Sequence, residues 1–351
     1  MGNMMTLDKI DFKKLDPKNM IDHIENFPNH CRAAFDMSQS FTLPSYYIKA
    51  KKVVLMGMGG SGQSAEIVKQ LLAESTDLIV ECIHDYDLPA FVDKETLVIV
   101  CSHSGNTEES LSVFMDANDK EAKLLAITTG GKLKILADKF RVPSYVFSCE
   151  CPPRASFAYQ FVFLLSIFEK LGYWELSEEA FQHILKILDA GMNKFRSETN
   201  LFQNPAKILA EKLHGSIPVI YSSKMLTGVA KRFKSQFNEN SKNFAFCEEL
   251  PELNHASIEG LRFPKSNCFI LMLESMSEKD RIILRENLTA EVLSKHKISF
   301  DRIKFVQANT RLSEILLFVM FGDFVSYYLA LLNQVNPTTT ETIDHLKERL
   351  I

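Results

Sequence analysis

No two cysteines in this 351-residue chain show the Cys-x-x-Cys spacing of a zinc or dithiol site, and their total, seven, is odd. A disulfide framework and a structural zinc centre are therefore not expected. Several of the cysteines lie inside apolar runs, where a free thiol behaves as a small hydrophobe. Cys149-Glu150-Cys151 reads as a strand end and a loop. No stretch reaches the roughly 18 uninterrupted apolar residues of a membrane span. The polar start of the chain, MGNMMTLDKIDFKK, has no apolar h-region, so the cytoplasm is the expected location. Nor is there an excess of basic charge: the formal net charge is -4, which argues against nucleic acid as a bulk electrostatic partner. The chain does have length enough for two domains, each with an ample core.

Strand-like and helix-like segments alternate after an N-terminal helical region at 16–39. Strands are predicted at 52–58, 78–83, 96–101, 123–128 and 144–147, with helices at 64–72, 108–118, 133–140, 155–171 and 178–195. The pattern then restarts, with strands at 217–222, 243–248, 268–273 and 302–307 and helices at 225–237, 279–294, 311–332 and 338–351. Such alternation means parallel sheets covered on both faces. The expected fold class is α/β, with two doubly wound parallel-sheet domains and helical segments at both termini. The expected boundaries are 1–44 for the N-terminal helical segment, 45–197 and 198–336 for the two domains, and 337–351 for the last helix. The halves look like a diverged duplication, because the run Val98-Ile99-Val100-Cys101-Ser102-His103-Ser104 has an echo from Ile270 to Ser277. The echo lacks the Gly-Asn-Thr that follows in the first half, and the turn after Ile220 lacks glycines. One phosphate site per chain is therefore expected, in the N-terminal half.

Two motifs about forty residues apart carry the chemistry. Gly57-Met58-Gly59-Gly60-Ser61-Gly62 follows one strand, and Ser102-His103-Ser104-Gly105-Asn106-Thr107 follows another; each opens a helix. Alone, Gly57, Gly59 and Gly62 fit the dinucleotide pattern, and Glu81 lies near enough to serve as its acidic residue. The second motif shifts the balance. Ser102, Ser104 and Thr107 supply three hydroxyls, and Ser61 a fourth. Hydroxyls beside two helix N-termini suit the exposed oxygens of a phosphate monoester, with Gly60 and its neighbours freeing backbone N–H groups. Each of these residues alone can equally be a cap or turn former.

The two motifs in a doubled α/β chain resemble the sugar isomerase (SIS) domain. The rest, over roughly residues 45–351, resembles the bifunctional phosphoglucose/phosphomannose isomerase family. Further pieces carry that likeness: Pro152-Pro153-Arg154, Asn238-Glu239-Asn240-Ser241-Lys242, Pro251-Glu252-Leu253-Asn254-His255, the threonines at 338–340, and Lys347. His103 departs from the pattern, in which Tyr or Thr is commoner between the serines, and Ala256 also looks atypical; both bear on substrate fit. The resemblance implies cofactor-free and metal-free interconversion of glucose 6-phosphate, and of mannose 6-phosphate, with fructose 6-phosphate through a cis-enediolate.

Moving a proton between C1 and C2 requires a base, a ring-opening group and positive charge near the enediolate. The resemblance assigns Glu239 as the base, whereas by position alone a solvated glutamate beside Lys242 is the default. It makes His255 a group acting on the ring oxygen or the C1 hydroxyl, contributed by a partner subunit, which implies a homodimer. Arg154, stiffened by two prolines, can steady the enediolate or hold a water. Lys347 lies seven residues after Thr340, on the same helical side, and can assist ring opening. Thr340 corresponds to the threonine that leaves room at C2, although three consecutive threonines leave the register open. A non-catalytic sugar-phosphate sensor and a dehydrogenase remain alternatives; no basic helical extension of the DNA-binding kind is found. A glucosamine-phosphate synthase would need a glutaminase domain for which the chain has neither a leading Cys nor the length.

Overall fold

The computed structural model describes residues 7, 10–73, 75–263 and 267–350. Residues 1–6, 8 and 9 of the expected N-terminal segment and residue 351 of the expected last helix lie outside them. The chain forms two compact units: Asn26–Leu185, and Met1–Glu25 together with Lys186–Ile351. The two short helices α1 (Phe12–Leu15) and α2 (Met20–Glu25) thus belong with the second sheet rather than the first. Phe12 packs against Tyr327 and Tyr328, and the Glu25 carboxylate accepts from both the N–H and the hydroxyl of Ser197. These attachments link distant parts of the sequence, and no local pattern announces them.

The first unit is built on a parallel sheet of β1 (Lys52–Gly57), β2 (Ile79–Ile83), β3 (Thr96–Ser102), β4 (Lys123–Thr128) and β5 (Ser144–Val146), in the order β2-β1-β3-β4-β5. The central β3 is buried along its whole length, as a strand covered on both faces must be. Its helices are α3 (Phe27–Gln39), α4 (Gly59–Leu72), α5 (Glu108–Asp119), α6 (Gly131–Lys139) and α7 (Phe157–Lys170). Helix α7 packs on α3 and α4, and its Ser166 hydroxyl meets that of Ser38 at 2.8 Å. Helix α8 (Glu178–Phe195) passes from one unit into the other.

The second unit repeats the plan. After α9 (Pro205–Leu213) come β6 (Ile217–Ser223), α10 (Thr227–Glu239), β7 (Phe246–Leu250), β8 (Cys268–Leu273), α11 (Asp280–Lys295) and β9 (Ser299–Ile303). The parallel sheet runs β7-β6-β8-β9, so β8 holds the place that β3 holds in the first sheet. Helix α12 (Arg311–Leu332) fills the core, against α9, α10 and α2. It is long and apolar enough to cross a membrane, with a mean hydropathy of 2.0, yet the whole apolar window is buried inside the protein. Helix α13 (Glu341–Arg349) ends the described chain and has no buried residue.

Three expectations need correction. The last strand is Ser299–Ile303, not 302–307. Phe305, inside the expected range, is buried from a loop, with its ring 4.7 Å from Phe318 and 5.6 Å from Phe321. Helix α9 was not expected, although Asn204 caps it by accepting from the N–H groups of Ala206 and Lys207, and Pro205 stands at its start. Cys149 and Cys151 form a disulfide, where a plain loop was expected. The short turn sets their Cα atoms 5.3 Å apart, within the reach of such a bond.

Candidate functional site

In a doubly wound sheet, ligands bind beyond the carboxyl ends of the strands, where the strand order reverses. In the first unit that place lies between β1 and β3. Both phosphate-type motifs sit there: the glycine turn leads from β1 into α4, and the 102–107 loop leads from β3 into α5. Gly105 is fixed by both conformation and space. Its φ is +65°, and a Cβ there would stand 1.9 Å from Gly130 O. The β4–α6 turn clamps this loop from the side. Thr129 donates to His103 O through its N–H at 3.1 Å and its hydroxyl at 2.7 Å, and Leu133 N–H reaches Gly105 O at 2.8 Å.

Three of the hydroxyls predicted as phosphate donors are thereby held at the end of β3, and the fourth, that of Ser61, follows the adjacent β1. Ser102 Oγ donates to Thr107 Oγ1 at 3.0 Å and accepts from Gly105 N–H; Ser104 is exposed and accepts from Asn106 N–H. Ser61 is buried in the first turn of α4. Ser102 and Ser104 do act as turn formers, and the same turn brings the Ser102 and Thr107 hydroxyls together. Thr107 caps α5, and Gly60 and Ser61 lie in the first turn of α4, so two helix N-termini accompany the hydroxyls, with the Ser61 N–H itself donated to Met58 O at 3.1 Å.

Arg154 belongs to this end of the sheet. It lies on a 3₁₀ turn, Pro153–Ser156, with only 4% of its surface exposed. The turn presses on the glycine motif: a Cβ on Gly60 would meet Pro153 O at 3.2 Å and Arg154 Cα at 3.3 Å. Sequence reasoning missed two neighbours. His84, at the end of β2, sets its Nδ1 2.6 Å from Gly57 O and its Nε2 3.0 Å from Glu66. Ser156 lies with its Oγ 2.9 Å from His103 Nδ1. Glu81, the acid a dinucleotide site would need, is taken by Lys69 at 2.9 Å.

Glu239, His255, Thr340 and Lys347 belong to the second unit. Glu239 is the last residue of α10 and is half-buried. One face of α10 is locked to α12. Arg232 grips both carboxylate oxygens of Asp323 at 3.0 and 2.8 Å, Gln236 donates to the same carboxylate at 2.6 Å, and Asn240 donates to Ser326 at 2.9 Å. Positions 232, 236 and 240 recur every four residues, which puts them on one side of the helix. Lys242, read from sequence as a surface neighbour of Glu239, donates to the carbonyls of Glu239, Asn336 and Thr339 at 2.6, 2.8 and 2.7 Å. One ammonium group thus ties the end of α10 to the threonine segment. Thr340 precedes α13, with its hydroxyl 3.3 Å from Asp344, and Lys347 is exposed two turns on.

His255 is exposed on the loop beyond β7. The adjacent Asn254 anchors that loop to α11, donating to Thr289 at 2.9 Å and accepting from Arg285 at 3.2 Å. In this unit the loop after β8 also carries a serine, Ser275, but its polar groups meet carboxyl groups. Glu274 pairs with Arg302, and Glu314 accepts from Ser275 Oγ at 2.7 Å and Met276 N–H at 2.6 Å. Burial pushes the carboxyl groups of Glu286 and Glu314 above their ordinary range, Glu286 to about 7.

The comparisons agree with this division. Residues 46–145 match the family described as the SIS domain, and residues 202–350 match the bacterial phospho-glucose isomerase C-terminal SIS domain. A bifunctional phosphoglucose/phosphomannose isomerase of Caldicellulosiruptor bescii is 36% identical over 94% of this chain and 98% of its own length. The chain belongs to the bifunctional phosphoglucose/phosphomannose isomerase family. Another family member, from Thermoplasma volcanium, is 33% identical over 86% of this chain and 92% of its own. The C-terminal domain of glucosamine-fructose-6-phosphate aminotransferase from Francisella tularensis shares the fold, with a TM-score of 0.71 at 14% identity over 93% of this chain and 99% of that one. The two family matches thus cover most of both sheets.

Proposed function

We propose that this chain is an aldose–ketose isomerase that interconverts glucose 6-phosphate, and mannose 6-phosphate, with fructose 6-phosphate. The observation that carries the reading is the gathering of Gly60, Ser61, Ser102, Ser104, Thr107 and buried Arg154 at one strand-order reversal, in a chain of this family. The glycine turn and the 102–107 loop hold the phosphate. Glu239 removes the proton from C2 of the aldose and returns it to C1 of the ketose. Arg154 stabilises the enediolate, Lys347 and His255 open the ring, and Thr340 leaves the room at C2 that admits both epimers. The locking of α10 to α12 supports the role of Glu239, since a proton shuttle needs a rigid mount. No step calls for a metal or a redox cofactor.

The reading includes a homodimer in the cytoplasm, with His255 supplied across the interface. Exposed apolar surface supports the dimer. Phe244 and Phe246 are 75% and 49% exposed, with their rings 5.6 Å apart at the edge strand that leads to His255. Helix α13 adds Ile343, Leu346 and Leu350, spaced to form one apolar ridge and all exposed.

In heavy water, the protein is expected to place deuterium at C1 of fructose 6-phosphate and at C2 of the aldose formed. Substrate binding with neither turnover nor exchange would leave only a sugar-phosphate sensor. Glu239→Gln should lower kcat about 10³-fold while binding substrate within a few-fold of wild type, the range expected for loss of a general base.

A further inference from the structure

We infer that His103 is a positioning residue, which ties the phosphate loop to the turn carrying Arg154; the inference rests on the isomerase reading above. His103 stands between Ser102 and Ser104, and its carbonyl is held twice by Thr129. Its ring leaves the loop and reaches Ser156, two residues after Arg154, with Nδ1 2.9 Å from Oγ. The polarity of this contact follows from counting hydrogens. Ser156 Oγ donates its one hydrogen to Pro153 O at 2.7 Å, and accepts from Gln160 Nε2 at 3.3 Å. Toward His103 it must accept, so the proton sits on Nδ1.

The ring is held in place on its other side by Phe147, edge-on at a centroid distance of 5.9 Å. Burial keeps the imidazole below its ordinary pKa and so in the neutral, single-tautomer form. Ser156 is fully buried and its hydrogen bonds are saturated, which leaves this contact little slack. The Arg154 turn is thus held from two sides: by the close approach of Gly60, and by the His103–Ser156 hydrogen bond. The first fixes its distance from the glycine motif, and the second fixes its bearing on the hydroxyl loop.

The phosphate hydroxyls remain when His103 is removed, so the loss should fall on kcat rather than on KM. His103→Leu is expected to lower kcat about tenfold with KM within about twofold, the size of effect that a small misplacement of a charged group produces. His103→Asn, whose amide nitrogen stands close to the position of Nδ1, should recover most of kcat; His103→Gln, with its amide farther out, should not. Ser156→Ala should reproduce the kcat loss, and adding it to His103→Leu should cost nothing further. Independent multiplicative losses, or a change in KM alone, would overturn the proposal. The ¹⁵N spectrum of the His103 ring tests the geometry apart from turnover. It should report a protonated Nδ1 and a bare Nε2 in the wild type, and a loss of that preference in Ser156→Ala. The opposite tautomer would refute the tie even in an active enzyme. The expected tautomer in a protein without turnover would instead refute the isomerase reading.

Discussion

The two sheets meet the same topological problem with opposite chemistry. At the strand-order reversal of the first unit, the loop after β3 ends in hydroxyls and helix N–H groups. At the matching place in the second, the loop after β8 also has a serine and backbone N–H groups, but the carboxylate of Glu314 has claimed them. Glu314 accepts one hydroxyl and one N–H, as a phosphate oxygen would. The second sheet therefore carries its own carboxyl group at this place, supplied from the first turn of α12, and Ser275 Oγ and Met276 N–H are spent in holding the fold. Where Ser102 Oγ bonds to another hydroxyl, that of Thr107, Ser275 Oγ bonds to a carboxyl group, that of Glu314.

The comparison breaks most severely at Gly105. No side chain fits where a Cβ would stand 1.9 Å from Gly130 O. Gly105→Ala should cost about 4 kcal/mol and displace the hydroxyl loop, by forced backbone movement. Thermal unfolding and substrate affinity should both fall, whereas an affinity loss at unchanged stability would mean that the loop is softer than its packing implies. The filled end should answer to pH instead. Glu286 is 3% exposed, and its Oε1 has no hydrogen-bond partner among the described residues. Burial first, and then the charges of Glu274 and Glu278, raise its pKa from 4.5 to about 7, against the smaller opposing pull of Arg302 and Lys304. A raised folded-state pKa means that the folded protein holds a proton that the unfolded chain releases. The stabilising contribution is complete below 4.5 and is lost as pH climbs to about 7. Glu286→Gln should therefore be the more stable protein at pH 8, by up to about 3 kcal/mol, with the advantage vanishing toward pH 4.5. Denaturant melts at the two pH values decide it.

Much of this contrast could be read before any coordinates. The apolar runs at β3 and β8 are legible because strands buried on both faces lose the alternation of half-buried ones and become near-continuous. The hydroxyl cluster was legible because its members fall within six residues. What stayed hidden acts over distance. Glu314 lies 39 residues from Ser275, and Asp323 lies 91 residues from Arg232, so neither partnership leaves a local pattern. Lys242 looked like a surface charge because its carbonyl partners Asn336 and Thr339 are separated from it by more than ninety residues. The edge strand β9 was misplaced because its polar residues Asp301 and Arg302 dilute its apolar signal, while the loop residue Phe305 mimics one.

The finest test sets one serine against its echo. Ser102 ends β3 and Ser275 stands two residues beyond β8, and both are buried. If Ser102 donates to a doubly charged phosphate, its removal deletes one charge-assisted hydrogen bond, about 1.5 kcal/mol. Ser102→Ala should then raise KM about tenfold and leave kcat nearly unchanged, because the phosphate is held equally in the ground and transition states. Ser275→Ala deletes a bond to Glu314 that no substrate shares, so KM and kcat should both stay put while stability drops. A tenfold KM effect from Ser275→Ala would mean that the filled end also senses substrate. The distinction between a serine bonded to a neutral hydroxyl, which a phosphate can replace as acceptor, and one bonded to a carboxyl group of the fold would then be wrong.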